Sequence, residues 1–249
     1  MLALTPTAAH QFLKGLGDRL GRPRAIIAAS PHFAALEAQV VADPHPAMIY
    51  DFGGFPAELS QIVYPAPGDP ELAEEVAELI AAAALPVHLV GERGFDHGSW
   101  VPLSLIWPEA DIPVVQLSIQ PEQGAGYHLA LGRALEPLRD RDVLIIGTGA
   151  MTHNLQELMA SGLKPADAPA EAWAKDFADW VADRAGEGAI DDLVHYRERA
   201  PAAMRAHPAD DHFLPFFVAL GAAGEGAKGE RIHASIEYAA LAMDAYEFS

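Results

Sequence analysis

An alternation constrains this chain more than any other feature: short apolar runs closed by Pro or Gly take turns with longer segments of helical apolar spacing. Residues 24–30 form one such run, between Pro23 and Pro31, and residues 87–90, 112–119 and 142–147 form others. Between them, Phe12, Leu13, Leu16 and Leu20 share one helical face, with Thr5 or Thr7 as cap. Asp69 caps a second helix that carries Pro70 in its first turn and turns Leu72, Val76, Leu79 and Ile80 inward. A third helix lies between Gly124 and Leu138. Strands joined by helices predict an α/β fold: a mainly parallel or mixed central sheet, helices on both faces, and an active site at the carboxyl ends of the strands. Later come an amphipathic helix around Trp173, Phe177, Trp180 and Val181, and another from Asp210 or Asp211 to Gly221. One or two closing strands are expected in residues 231–248. With no internal repeat, low-complexity tract or linker, residues 1–249 read as a single domain.

Sixteen basic against 35 acidic residues leave a net charge of −19. Such a field repels phosphate backbones, so nucleic acid is not an expected partner. It also repels anionic ligands unless basic groups gather locally. No basic-plus-apolar leader and no membrane-length apolar run are visible, which predicts a cytoplasmic protein with no membrane partner. With no cysteine, any metal must be held by His, Asp or Glu.

Eleven histidines are therefore worth weighing singly. His32 ends a predicted central strand, where a ring nitrogen can enter the cleft; the plain alternative is a core histidine bonded to a backbone carbonyl. In Asp96-His97-Gly98, Asp96 can orient His97 and Gly98 can admit a ligand, although an Asp–His turn would look the same. Gly147-Thr148-Gly149 follows a strong strand, with small residues that leave room for a substrate and His153 placed for acid–base work. A phosphate loop competes there, but no GxGxxG and no lysine accompany it. His207 and His212 stand five apart, which is not one-face helical spacing, so one can bind metal while the other supports or caps. For His10, His45, His88, His128, His195 and His233, surface or packing roles are expected.

Taken in order, several motifs resemble the class III extradiol ring-cleavage dioxygenases, in particular their DOPA-dioxygenase-type branch. They are Ile49-Tyr50-Asp51-Phe52-Gly53-Gly54-Phe55-Pro56, Tyr64-Pro65-Ala66-Pro67-Gly68, Asp96-His97-Gly98-Ser99-Trp100-Val101-Pro102-Leu103, and Pro108-Glu109-Ala110-Asp111-Ile112-Pro113-Val114. His153-Asn154-Leu155, His207-Pro208, Asp211-His212-Phe213 and Leu220-Gly221-Ala222-Ala223-Gly224-Glu225 continue the series. The resemblance implies a non-haem Fe(II) enzyme that opens a catechol-type aromatic diol with O2; Zn(II) can occupy such a site. It further implies His32 and His212 as metal ligands, with His207 as fallback, His153 as the acid–base group and His97 against the substrate. Around His32 the branch has Ala-His-Trp where this chain has Pro31-His32-Phe33.

Relatives open with a strand ending in Ser-His-Gly-Ser-Pro, whose histidine is the first metal ligand. Met1-Leu2-Ala3-Leu4 resembles the stretch just after that motif, so the first ligand is expected upstream of Met1. Two other functions stay open at this point: a metal-poor, catalytically impaired member or non-catalytic binding protein, and a metal-assisted hydrolase. A homo-oligomer is compatible with all of them.

Overall fold

Small and β-branched apolar residues build a strand that is buried on both faces. Ile26 and Ala28 turn to one hydrophobic layer and Ala25, Ile27 and Ala29 to the other. This strand, β1 (Ala25–Ala34), lies inside a five-stranded sheet with β2 (Ala38–Val41), β3 (Val87–Val90), β4 (Val114–Ile119) and β5 (Val143–Gly147). The computed structural model describes residues 2–54, 56–160 and 162–249; Met1 and Phe55 of the motifs above lie outside the described residues. Strand order is β3-β2-β4-β1-β5, with β1 parallel to both neighbours. β2 runs parallel to β3 but meets β4 antiparallel through Val40 and Leu117, so the sheet is mixed.

Helices cover both faces, as the alternation requires. α1 (Ala8–Leu20), capped by the Thr7 side chain, and α3 (His97–Ile106), capped by Asp96, pack on one face through Leu16, Trp100, Leu103 and Ile106. α2 (Pro70–Ala82) and α4 (Gly124–Ala134) cover the other through Leu72, Val76, Ile80 and Leu131. Past β5, the short α5 (Leu155–Met159) leads to α6 (Ala172–Glu187) and three brief turns of helix, α7 (Ile190–Val194), α8 (Tyr196–Arg199) and α9 (Ala203–Ala206). Together with α10 (Leu214–Ala222) these build a second core around Phe177, Tyr196, Phe213 and Phe217. The tail closes as two antiparallel pairs: β6 (Gly229–His233) with β9 (Ala245–Phe248), and β7 (Ile236–Glu237) with β8 (Leu241–Ala242).

Two local differences from the expected elements have physical causes. β1 continues past Pro31 and His32 to Ala34, because its register shifts between Ala29 and Ala34. Where the ladder is interrupted, a proline removes no needed hydrogen bond, and His32 sits in this irregular segment. The last long helix starts at Leu214 rather than near Asp210; Pro215 occupies its first turn, while the Asp210 carbonyl accepts from Phe213 and Leu214 amides.

Candidate active site

Four histidines from four parts of the chain meet in one cavity of about 1230 Å³. His32 comes from the irregular end of β1, His97 from the first turn of α3, His153 from the loop after β5, and His212 from the turn before α10. Their rings form a continuous run. The His32 centroid lies 3.9 Å from that of His97 and 5.1 Å from that of His212. His153 stacks on His212 at 3.5 Å, with the planes 6° apart.

Glycines set these approaches. A Cβ on Gly98 would collide with Ser30 Oγ and sit 2.9 Å from His32 Cδ2. Gly98 thus lets Ser30 and His32 approach α3 closely, and it also lines the cavity. A Cβ on Gly149 would collide with the His212 carbonyl oxygen, and one on Gly147 with that of Pro215. Those small residues bring the His153 loop and the His212 segment into backbone contact, and they also line the cavity, as expected of a loop that leaves room for a substrate.

Asp96 does not orient the His97 ring, contrary to the expectation from their adjacency. Its carboxylate caps α3 and anchors a buried network. Oδ1 accepts from Ser30 Oγ at 2.5 Å and from the Ser99 amide at 3.3 Å; Oδ2 accepts from Arg93 Nη2 at 3.0 Å and from Gln116 Nε2. Arg93 also donates to the His32 carbonyl at 3.3 Å, which ties this network to β1. The partner of His97 is Asp51. Its Oδ1 accepts from both the His97 amide at 3.0 Å and His97 Nδ1 at 2.8 Å, and its Oδ2 lies 3.5 Å from His32 Nδ1. Asp51 was not among the expected site residues. The signal available was that it is the one acid in the Ile49 to Pro56 motif.

Electrostatics keep two of the imidazoles neutral. Burial, followed by the neighbouring His97 and His212, pushes His32 down to about 4. Burial, then His212, pushes His153 down to about 3. Neutral rings offer the lone pairs that a metal or a proton needs. Burial alone would raise Asp51, but the amide and ring of His97 hold its carboxyl below the usual range. His212 Nδ1, 3.0 Å from Asp211 Oδ2, likewise outweighs burial and holds Asp211 at about 2.

This donor set fits a divalent transition metal. His32, Asp51 and His97 offer ligand atoms all within 4.8 Å of one another. His32 and His212 share a further feature: each has Nδ1 near a carboxylate oxygen, 3.5 Å from Asp51 and 3.0 Å from Asp211. Metal-bound histidines are commonly held this way, since the carboxylate fixes the tautomer and strengthens the other nitrogen as a donor.

His207 is engaged elsewhere. Its ring is fully buried, Nε2 pairs with the Met151 carbonyl at 2.8 Å, and one face stacks on Phe213 at 5.1 Å. Burial pushes it down to about 4. His128 is also a buried packing residue: its Nδ1 donates to the Gly124 carbonyl and its Nε2 accepts from the Gln120 amide.

Comparison with known proteins adds a second line of observation. The profile of the family described as the catalytic LigB subunit of aromatic ring-opening dioxygenase matches residues 9–249. Proteins named 4,5-DOPA dioxygenase extradiol from Portulaca grandiflora and Beta vulgaris are each 41% identical to this chain, over 100% and 97% of it and 92% and 89% of their own lengths. One of the same name from Escherichia coli strain K12 is 39% identical over 83% of this chain and 75% of its own. The crystal structure of an uncharacterized E. coli K12 protein superposes with a TM-score of 0.79 and 32% identity, covering 98% of this chain and 93% of that one.

Proposed function

Since the chain belongs to the LigB family of aromatic ring-opening dioxygenases and is a metal-dependent extradiol enzyme, we propose that it opens a catechol-type ring using iron(II) held by His32 and His212. The observation that carries this assignment is the convergence of His32 and His212 in one cavity, ring centroids 5.1 Å apart, with His153 stacked on His212. His97 is assigned to the substrate rather than the metal, as the family resemblance implies, although its Nδ1 also pairs with a carboxylate, that of Asp51, at 2.8 Å. His207 is a weaker ligand candidate, with Nε2 engaged by the Met151 carbonyl.

Bound iron(II) supplies an electron path between an aromatic diol and O2, whose spin state otherwise bars direct reaction. His153 takes a proton from one ring hydroxyl at a ring nitrogen, and stacking on His212 fixes its plane. His97 donates Nδ1–H to Asp51, so Nε2 is left as an acceptor for the second hydroxyl. Phe52, edge-on to His97 at 5.5 Å, supplies apolar surface that limits water beside the ring. The carbon–carbon bond next to the diol breaks and both oxygen atoms of O2 enter the product, so the reaction needs no external reductant.

The relatives' names point to DOPA as their substrate, and the diol of such a molecule is the part this site is built to take. The chain is proposed to act as one domain in the cytoplasm; among the described residues, no helix is long and apolar enough to cross a membrane. Oxygen uptake with catechol, measured on iron-loaded and zinc-loaded protein, tests the assignment. Uptake with iron alone is expected, because zinc has no accessible redox change. Equal uptake with zinc would sink it.

A further inference from the structure

The diol is only half of a substrate, and the surroundings of the four histidines bear on the other half. Two carboxylates, Asp51 and Asp211, already contact these rings. The cations nearby are committed to partners: Arg93 to Asp96 and the His32 carbonyl, Arg205 to Glu157, Lys164 to Glu171, and Arg197 to Asp210. Among the described residues of the cavity wall the one cation is Arg139, which precedes β5, at the end of that strand away from His153, and donates to the Ala223 carbonyl at 2.6 Å.

What the cavity offers beside His153 is apolar. Asn154 caps α5 through its side chain, which turns the chain into a helix immediately after the acid–base candidate. Leu155 and Met159 lie four residues apart, on one face of that helix, and are 56% and 60% exposed. Both line the same cavity as the histidines, as does Leu163, 48% exposed. Contiguous exposed apolar side chains beside a reactive centre mark a binding wall. A carboxylate here would find no uncommitted cation among the described residues of the cavity wall, whereas an alkyl group would bury apolar area against α5.

We infer that this enzyme selects dihydroxy aromatics whose ring substituent is uncharged and apolar, seated on the Leu155–Met159 face of α5, over those that carry a carboxylate. The inference rests on the ring-opening assignment for its chemistry, but the substituent preference can be read without turnover. Metal-loaded protein is titrated under nitrogen with 4-propylcatechol, 3,4-dihydroxyphenylacetate and 3-(3,4-dihydroxyphenyl)propionate, and oxygen uptake is measured on the same panel. The alkyl compound is expected to bind at least about 10-fold more tightly than either carboxylate, the difference appearing in KM more than in kcat. Met159→Lys, an exposed change, is expected to reverse part of that order, raising kcat/KM for 3,4-dihydroxyphenylacetate by about 5-fold or more while lowering it for 4-propylcatechol. If 4-propylcatechol binds preferentially but no compound consumes oxygen, the ring-opening assignment fails and the preference stands. Equal or tighter binding of the carboxylates, or a Met159→Lys protein that gains nothing toward them, overturns the inference.

Discussion

His153 and His128 are both largely buried, and burial is the main reason both lie far below the usual imidazole range, at about 3 and about 4. They differ in what their nitrogens meet. Both nitrogens of His128 are satisfied by backbone within eight residues of it, and that ring belongs to packing. His153, with His32, His97 and His212, faces other imidazoles and carboxylates brought from distant segments, in a cavity. Burial and a depressed pKa therefore do not separate a working histidine from a structural one. The partner set does.

Removing a ligand candidate tests this distinction most severely. His32→Ala or His212→Ala should weaken iron binding by at least about 100-fold, since changes merely behind a ligand already cost 10- to 100-fold. Metal analysis after dialysis reads the loss, and full occupancy in either variant breaks the distinction. Next in size is His153→Ala, with turnover expected to fall roughly 10²-fold while iron content holds. An emptied site would instead make His153 a ligand.

The packing histidines should answer to pH. In the unfolded chain His128 and His207 take up protons below about 6.5, while in the folded chain they resist until about 4. Their contribution to stability is complete above pH 6.5 and is lost as pH falls toward 4, on the order of 2 kcal/mol for each at pH 5. Melting of metal-free protein at pH 7 and pH 5 reads this share together with that of His32 and His153, which burial also holds low. His207→Phe, which keeps the aromatic packing, should narrow the gap and leave iron stoichiometry unchanged. If the gap is as wide as in the parent protein, His207 does not behave as a buried neutral ring. The smallest effect is expected from Asp51→Asn, which keeps the shape but weakens the hold on His97 and His32: about 10-fold in kcat/KM, with a fall of about 10-fold in iron affinity. No change would remove Asp51 from the site.

Much of the scaffold could be read from residue spacing. The cap at Asp69, the inward face of α2 and the strand at residues 87–90 follow local rules that hold wherever they occur. β2 was not legible, because four residues after a proline-interrupted strand carry too little periodicity, and its pairing with β4 makes the sheet mixed. α5 was missed for a similar reason: five residues are barely one turn. At the site, His32, His97, His153 and His212 were found from their places at strand ends and helix starts, and from the motifs around them. Asp51 was not, since its bond to His97 spans 46 residues and its place as the one acid of its motif names no partner. The close approaches at Gly98 and Gly149 are likewise not legible locally, although both glycines line the cavity. What a missing side chain makes room for depends on which segment folds against it.

The contact between Gly149 and the His212 carbonyl has a consequence for the order in which the protein comes into being. His32, Asp51 and His97 leave the ribosome within the first hundred residues, but the segment that bears His212 emerges more than a hundred residues later. Only when that segment docks against the glycine loop is His153 given its stacking partner. A half-made chain holds part of a metal site and none of its acid–base arrangement, so the reactive centre is assembled near the end of synthesis. By then the sheet and the helices that shield it are already available to fold around it.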